Sequence, residues 1–185
     1  LDHVHYEFET LLKLCVMRHH VFLSGAAGGG KGTASRQVAD TLSLPYYSKS
    51  CSEMDTLSEW RGFIDGYGNY QKSLFRQAYE HGGVFLIDEG DAGNPAVMTW
   101  LNAALADGRV GFPDGMIHQH ENFIAIMAGN TWGRGADRVY VGRNQLDAAT
   151  LDRFDFLSWD YDESLELAIA PNSEWTRYVQ KCRAN

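Results

Sequence analysis

Apolar residues fall at Val4, Phe8, Leu11, Leu12 and Cys15, spaced i, i+4, i+7, i+8 and i+11, which predicts an amphipathic helix near the start of the chain. The run Val21-Phe22-Leu23 predicts a first strand, and Ala34, Val38 and Leu42 then recur at four-residue spacing as one helix face. A short second strand is expected over 44–48, with Pro45 at its start, where a missing N–H is tolerated. A helix is expected from Ser52 to Trp60. It gives way to Gly62-Phe63-Ile64-Asp65-Gly66-Tyr67-Gly68-Asn69-Tyr70, where glycine and aromatic density do not extend a helix, so a loop or hairpin is predicted there. Leu74, Phe75, Ala78 and Tyr79 restore helical spacing. The inserted hairpin has two readings: aromatics that cover the core, or a loop that grips a substrate chain through Phe63, Tyr67 or Tyr70.

Two uninterrupted apolar runs, Val84 to Ile87 and Phe123 to Ala128, read as strands buried on both faces of a parallel sheet. Between them lie a helix after Asn94-Pro95, with Val97, Leu101, Ala104 and Leu105 on one face, and a β-hairpin over 109–120 turning at Pro113-Asp114-Gly115. Gly133 to Gly142 is glycine-rich and predicts a mobile connection. A short helix over 146–152, a fifth strand over 154–159 and polar helical segments over 164–168 and 174–183 complete the chain. Strands alternating with helices place the protein in the α/β class with a parallel sheet.

The chemistry concentrates at strand ends. Gly25-Ala26-Ala27-Gly28-Gly29-Gly30-Lys31-Gly32-Thr33 follows the first strand and opens a helix. That context makes a glycine-rich stretch a phosphate-binding loop: its backbone N–H groups converge on an anion, the helix N-terminus adds partial positive charge, and Lys31 would reach the β- and γ-phosphates. Gly32 stands where such loops place a hydroxyl for Mg²⁺; the hydroxyl comes one residue later, on Thr33, and is expected to face the α-phosphate. The order Lys-Gly-Thr is similar to that of adenylate kinases, which raises a nucleotide or small-molecule kinase as an alternative. Asp88 and Glu89 end the Val84 strand, where α/β sheets place ligands; Asp88 is expected to hold Mg²⁺ through water and Glu89 to accept a proton from an attacking water. Asn130, at the tip of the next buried strand, can hydrogen-bond the γ-phosphate or orient that water. Arg153 either pairs with Asp152 or Asp155 or reaches phosphates held by a neighbouring subunit.

Composition narrows the partners. Sixteen Lys and Arg against 24 Asp and Glu leave a net charge of −8, which removes a broad basic footprint and makes nucleic acid the less favoured partner. The length suits one domain. No apolar run approaches a membrane span, no signal-peptide pattern opens the sequence, and Cys15, Cys51 and Cys182 lack disulfide or zinc spacing, so a cytoplasmic protein is expected. His3, His5, His19 and His20 are expected to be solvated rather than a metal cluster.

With these residues in hand, the chain resembles an AAA+ ATPase of the MoxR-like and CobS/CbbQ-like branch, which is itself similar to dynein-type modules. The matching pieces are the phosphate loop at 25–33, Val84 to Glu89 as Walker B, Asn130 as sensor 1, and above all Leu146-Asp147-Ala148-Ala149-Thr150-Leu151-Asp152-Arg153-Phe154. The resemblance implies a three-layer P-loop NTPase fold, with a five-stranded parallel sheet of order 5-1-4-3-2, a helix-2 insertion and a hairpin before sensor 1. It implies an ATPase core over 1–160 and, over 161–185, the start of an incomplete helical lid. It further implies ATP and Mg²⁺ as ligands, a ring, usually hexameric, that remodels a protein client, and Arg153 as an arginine finger acting in trans, with Arg143 as a second candidate. A nucleotide-binding scaffold with weak hydrolysis stays open as an alternative.

Overall fold

The protein is described here by a computed structural model covering residues 3–135, 138 and 143–183. The buried apolar runs form the centre of a sheet, as hydrophobicity on both faces requires. Strand β5 (Gly83–Asp88) and strand β8 (Phe123–Gly129) pair in parallel, with Gly83 opposite Phe123 and Ile87 opposite Met127. Strand β1 (Val21–Ser24) lies on the far side of β8, Val21 opposite Ile126, and carries β9 (Asp155–Ser158) on its outer edge. Strand β2 (Tyr46–Ser50) closes the other edge against β5. The order β2-β5-β8-β1-β9, parallel throughout, is the expected 5-1-4-3-2 once the hairpin strands are set aside.

Alternation along β5 divides the interior in two. Val84 and Leu86 face helices α1 (Phe8–Val16) and α2 (Lys31–Leu42), packing with Leu11, Cys15, Val38 and Ile126. Phe85 and Ile87 face α3 (Leu57–Arg61), α4 (Leu74–His81) and α5 (Pro95–Ala106), packing with Trp60, Phe75, Tyr79 and Leu101. Helices thus cover both faces and leave the C-terminal ends of the strands free for a site.

Two hairpins project from this frame: β3 (Phe63–Ile64) with β4 (Tyr70–Gln71), and β6 (Arg109–Phe112) with β7 (Gly115–His118). Arg76 of α4 joins them. Its buried guanidinium pairs with Asp114 in the β6–β7 turn at 2.7 Å and with Glu80 at 3.0 Å, and it lies over the rings of Phe112 and Tyr70. The Arg76 hydrogen bond is the main reason the Glu80 carboxyl falls to about 2.

The structure corrects several local expectations. Helix α3 starts at Leu57 rather than Ser52, because Asp55 ties the preceding segment into a turn, accepting from the Ser52 N–H at 3.3 Å and the Trp60 indole at 3.0 Å. Strand β2 runs two residues later than predicted, since its register is set by pairing with β5. His5 is buried, not solvated: its ring stacks on Trp159 with centroids 4.0 Å apart, and its Nε2 meets the Asp160 carbonyl at 2.8 Å. His20 is partly buried, and burial pushes its pKa down to about 4. Much of the predicted connection from Gly133 to Gly142 lies outside the described residues. Helices α6 (Ala148–Leu151), α7 (Glu163–Ile169) and α8 (Ser173–Arg183) follow the expected pattern.

Candidate nucleotide-binding site

The loop between β1 and α2 owes its shape to its glycines. Gly30, which caps α2, has φ 80°, a left-handed conformation that a side chain disfavours. Gly25 is required for a different reason: a Cβ there would collide with the Trp159 carbonyl oxygen. Trp159 also donates its indole N–H to the Gly29 carbonyl at 2.8 Å, and Tyr161 donates its hydroxyl to the Ala27 carbonyl at 2.9 Å, so the chain leaving β9 buttresses the loop. At Gly32, by contrast, a Cβ would meet only Leu86 Cδ2 at 3.6 Å, an ordinary contact.

A cavity of about 300 Å³ opens at the C-terminal ends of β5 and β8, lined by Ala27 through Thr33 together with Asp88, Glu89 and Asn130. Of the predicted residues, Ala27 through Thr33, Asp88, Glu89 and Asn130 therefore share one space. Gly25 and Ala26 stand behind it and hold its lysine: Lys31 Nζ donates to the Gly25 carbonyl at 2.7 Å, the Ala26 carbonyl at 2.9 Å and Asn130 Oδ1 at 3.2 Å. Burial lowers the Lys31 pKa, with the Asp88 and Asp91 carboxylates opposing the shift. Glu89 is half exposed, and its backbone is left-handed at φ 53°, a conformation non-glycine residues enter at a cost of order 1–3 kcal/mol.

Sequence reasoning missed Asp91. It sits in the 3-10 turn Gly90–Ala92 after β5, fully buried, and its Oδ2 accepts from Asn130 N at 3.0 Å, Thr131 N at 2.9 Å and Thr131 Oγ1 at 2.9 Å. Its Oδ1 accepts from Arg143 Nη1 at 3.0 Å. Asp91 thus fixes the tip of β8, and with it Asn130, against the end of β5. Gly90 and Gly93 on either side of an acid were the available signal of a tight turn. Arg143, expected as a candidate to act on a neighbour, points into its own site: its Nη2 lies 3.6 Å from Glu89 Oε1. Arg153 lies apart, exposed in the turn between α6 and β9, donating from Nε to Asn102 Oδ1 at 3.2 Å rather than pairing with Asp152 or Asp155.

Parallel strand order, loop and cavity together define a P-loop NTPase fold. Residues 20–154 match the AAA domain family, dynein-related subfamily, and the chain belongs to that family. It is 30% identical over 162 residues to the aerobic cobaltochelatase subunit CobS of a Sinorhizobium species, a match that takes in 80% of this chain and 49% of that protein. The chain therefore spans about half the length of this curated relative. In structure it is similar to a protein described as an ATPase from Cytophaga hutchinsonii, with TM-score 0.70 and 20% identity over 89% of this chain and 48% of that one. It is likewise similar to Hsp104, with TM-score 0.59 and 22% identity over 78% of this chain and 29% of that one. At these identities the two structures speak for the fold alone. The expected resemblance to the CobS and dynein-related branch is borne out. Among the described residues, no helix is long and apolar enough to cross a membrane.

Proposed function

We propose that this chain binds and hydrolyses ATP and couples turnover to the remodelling of a protein partner within a ring of like subunits, a hexamer by analogy with its family, in the cytoplasm. The observation that carries the reading is that Lys31, Asp88, Glu89 and Asn130, drawn from three separate elements, line a single cavity with the glycine loop. The loop's N–H groups and Lys31 take the phosphates. The donor set suits a metal-bound triphosphate: two carboxylates at the strand tip face a lysine and a helix N-terminus across the cavity. Asp88 would hold Mg²⁺, whose chemistry when bound is to neutralise charge building on the phosphate oxygens. Gly32 provides no hydroxyl for it, and Thr33 serves the phosphates.

Glu89 takes the proton of a water whose oxygen attacks the γ-phosphorus as the bond to the β–γ bridging oxygen breaks. Asn130 orients that water or the γ-phosphate, and Arg153, exposed and donating to Asn102, is the arginine offered to an adjoining subunit. A smaller cavity beside the loop, lined by His5, Gly29, Tyr161, Leu165 and Ile169, suits the nucleoside end. Residues 1–160 form the ATPase core in this reading, and 161–185 begin a helical lid.

Membership in the AAA family speaks against the kinase alternative. The deciding experiment is Glu89→Gln: it should retain nucleotide and lose turnover, and wild-type-like phosphate release by this variant would remove Glu89 from its role. Binding without turnover in the wild type would support the scaffold reading instead.

A further inference from the structure

We propose that Arg143 is a positioning residue for Glu89 within its own subunit, held in place by Asp91, and not an arginine lent to a neighbour. This rests on the ATPase reading above. Three carboxylates, Asp88, Glu89 and Asp91, crowd into four consecutive positions at the end of β5. Asp91 is fully buried and cannot be left short of a cation without a large penalty. Arg143 meets that need through Nη1 at 3.0 Å, and its side chain is only 13% exposed.

The backbone beside Arg143 is fastened to the same turn. Asn144 N donates to the Asp91 carbonyl at 2.7 Å, and Asn144 Nδ2 donates to the Gly93 carbonyl at 3.1 Å. A guanidinium anchored at both its head and its neighbouring backbone cannot swing towards another subunit without uncovering Asp91.

The second nitrogen of the same guanidinium faces Glu89 Oε1 at 3.6 Å. That separation lies outside hydrogen-bond range and inside ion-pair range, so Arg143 sets the direction of the carboxylate without locking it. The left-handed backbone at Glu89 aims the side chain, and Arg143 supplies the charge against which it rests. Through Asp91 the same arginine is linked to Asn130, whose N–H shares the Asp91 carboxylate. The proton acceptor and the water-orienting amide are thereby set by one buried pair.

The test compares wild type, Glu89→Gln, Arg143→Ala, Arg143→Gln and Arg143→Lys in the full chain. It reads kcat and KM for ATP, the Kd for a fluorescent ATP analogue and the melting temperature. Loss of position is expected to lower kcat about tenfold to a hundredfold in Arg143→Ala, with KM and Kd within about twofold of wild type. Arg143→Gln keeps a donor for Asp91 without the charge, so it should melt below wild type but above Arg143→Ala and stay slow; it carries the test if Arg143→Ala does not fold. Arg143→Lys restores the charge and should recover much of the lost kcat. Mixtures of Arg143→Ala with Glu89→Gln should give no more turnover than their separate sum.

Unchanged kcat in both Arg143→Ala and Arg143→Gln overturns the inference, as does an effect confined to Kd. Recovery of turnover on mixing also overturns it, because a healthy arginine from the other subunit would then be acting in trans. Failure of the ATPase reading looks different: the wild type would be inactive, or Glu89→Gln would be active, before any Arg143 variant is considered.

Discussion

The Lys31 ammonium and the Asn130 carboxamide oxygen stand 3.2 Å apart across the phosphate cavity. Lys31 is otherwise held by the carbonyls of Gly25 and Ala26, so it rests on groups of the loop it serves. A triphosphate would offer it a stronger acceptor than these neutral oxygens.

Substitution should therefore separate the two residues. Lys31→Met is expected to weaken binding of a fluorescent ATP analogue about tenfold to a hundredfold, the value of a hydrogen bond to a charged group. Asn130→Ala should bind within a few-fold of wild type and release phosphate about a hundredfold more slowly, as removal of a transition-state donor does. Equal loss of affinity in both variants would place Asn130 with the binding groups instead.

Gly25 and Gly32 should respond in opposite ways. Gly25→Ala drives a methyl into the Trp159 carbonyl, so it should lose nucleotide binding and melt at lower temperature. Gly32→Ser fits beside Leu86, gains about 0.5 kcal/mol of helix propensity and puts a hydroxyl at the first turn of α2. Its affinity for ATP should rise with Mg²⁺ present and change little in EDTA, as isothermal titration can show.

Acid should weaken the fold through His20. Its Nδ1 accepts the Ala125 N–H at 3.0 Å, so the ring is neutral, and burial holds its pKa at about 4 against 6.5 unfolded. As pH falls below 6.5 the unfolded chain takes up a proton that the folded one refuses. Stability contributed at neutral pH is thus lost down to about pH 4, reaching about 2 kcal/mol at pH 5. Urea midpoints should show this loss in the wild type and a smaller one in His20→Asn, which keeps an acceptor near Ala125 without titrating.

Removing the clasp between the hairpins should be felt locally. Arg76→Ala leaves Asp114 and Glu80 without their cation and exposes the faces of Phe112 and Tyr70. The expected cost is about 2 kcal/mol, less than for a fully enclosed pair because both carboxylates touch water. Hydrogen exchange should quicken at β3, β4, β6 and β7 while binding of the ATP analogue holds.

The sheet was legible in the sequence because its inner strands are apolar without a break and each leads into polar chemistry, as Val84 to Asp88 and Phe123 to Asn130 show. The phosphate loop was legible for the same reason: its glycines answer to local backbone geometry. What stayed hidden depends on distant partners. Asp91 was missed, since nothing local announces that Thr131 and Arg143 surround it. His5 looked solvated because the Trp159 ring that covers it comes from the far end of the core. Asp55 shortened α3 by accepting from Ser52 and Trp60, a competition between side chain and helix that spacing alone does not reveal.

Trp159 and Tyr161 grip the loop carbonyls from a stretch that runs directly into α7, and Arg183 near the end of α8 lies 3.9 Å over the Tyr161 ring. The C-terminal helices are thus geared to the phosphate cradle through a two-residue axle. A shift of α7 or α8 that carried Trp159 and Tyr161 with it would strain their hydrogen bonds to the Gly29 and Ala27 carbonyls, so helix position and loop geometry share one linkage.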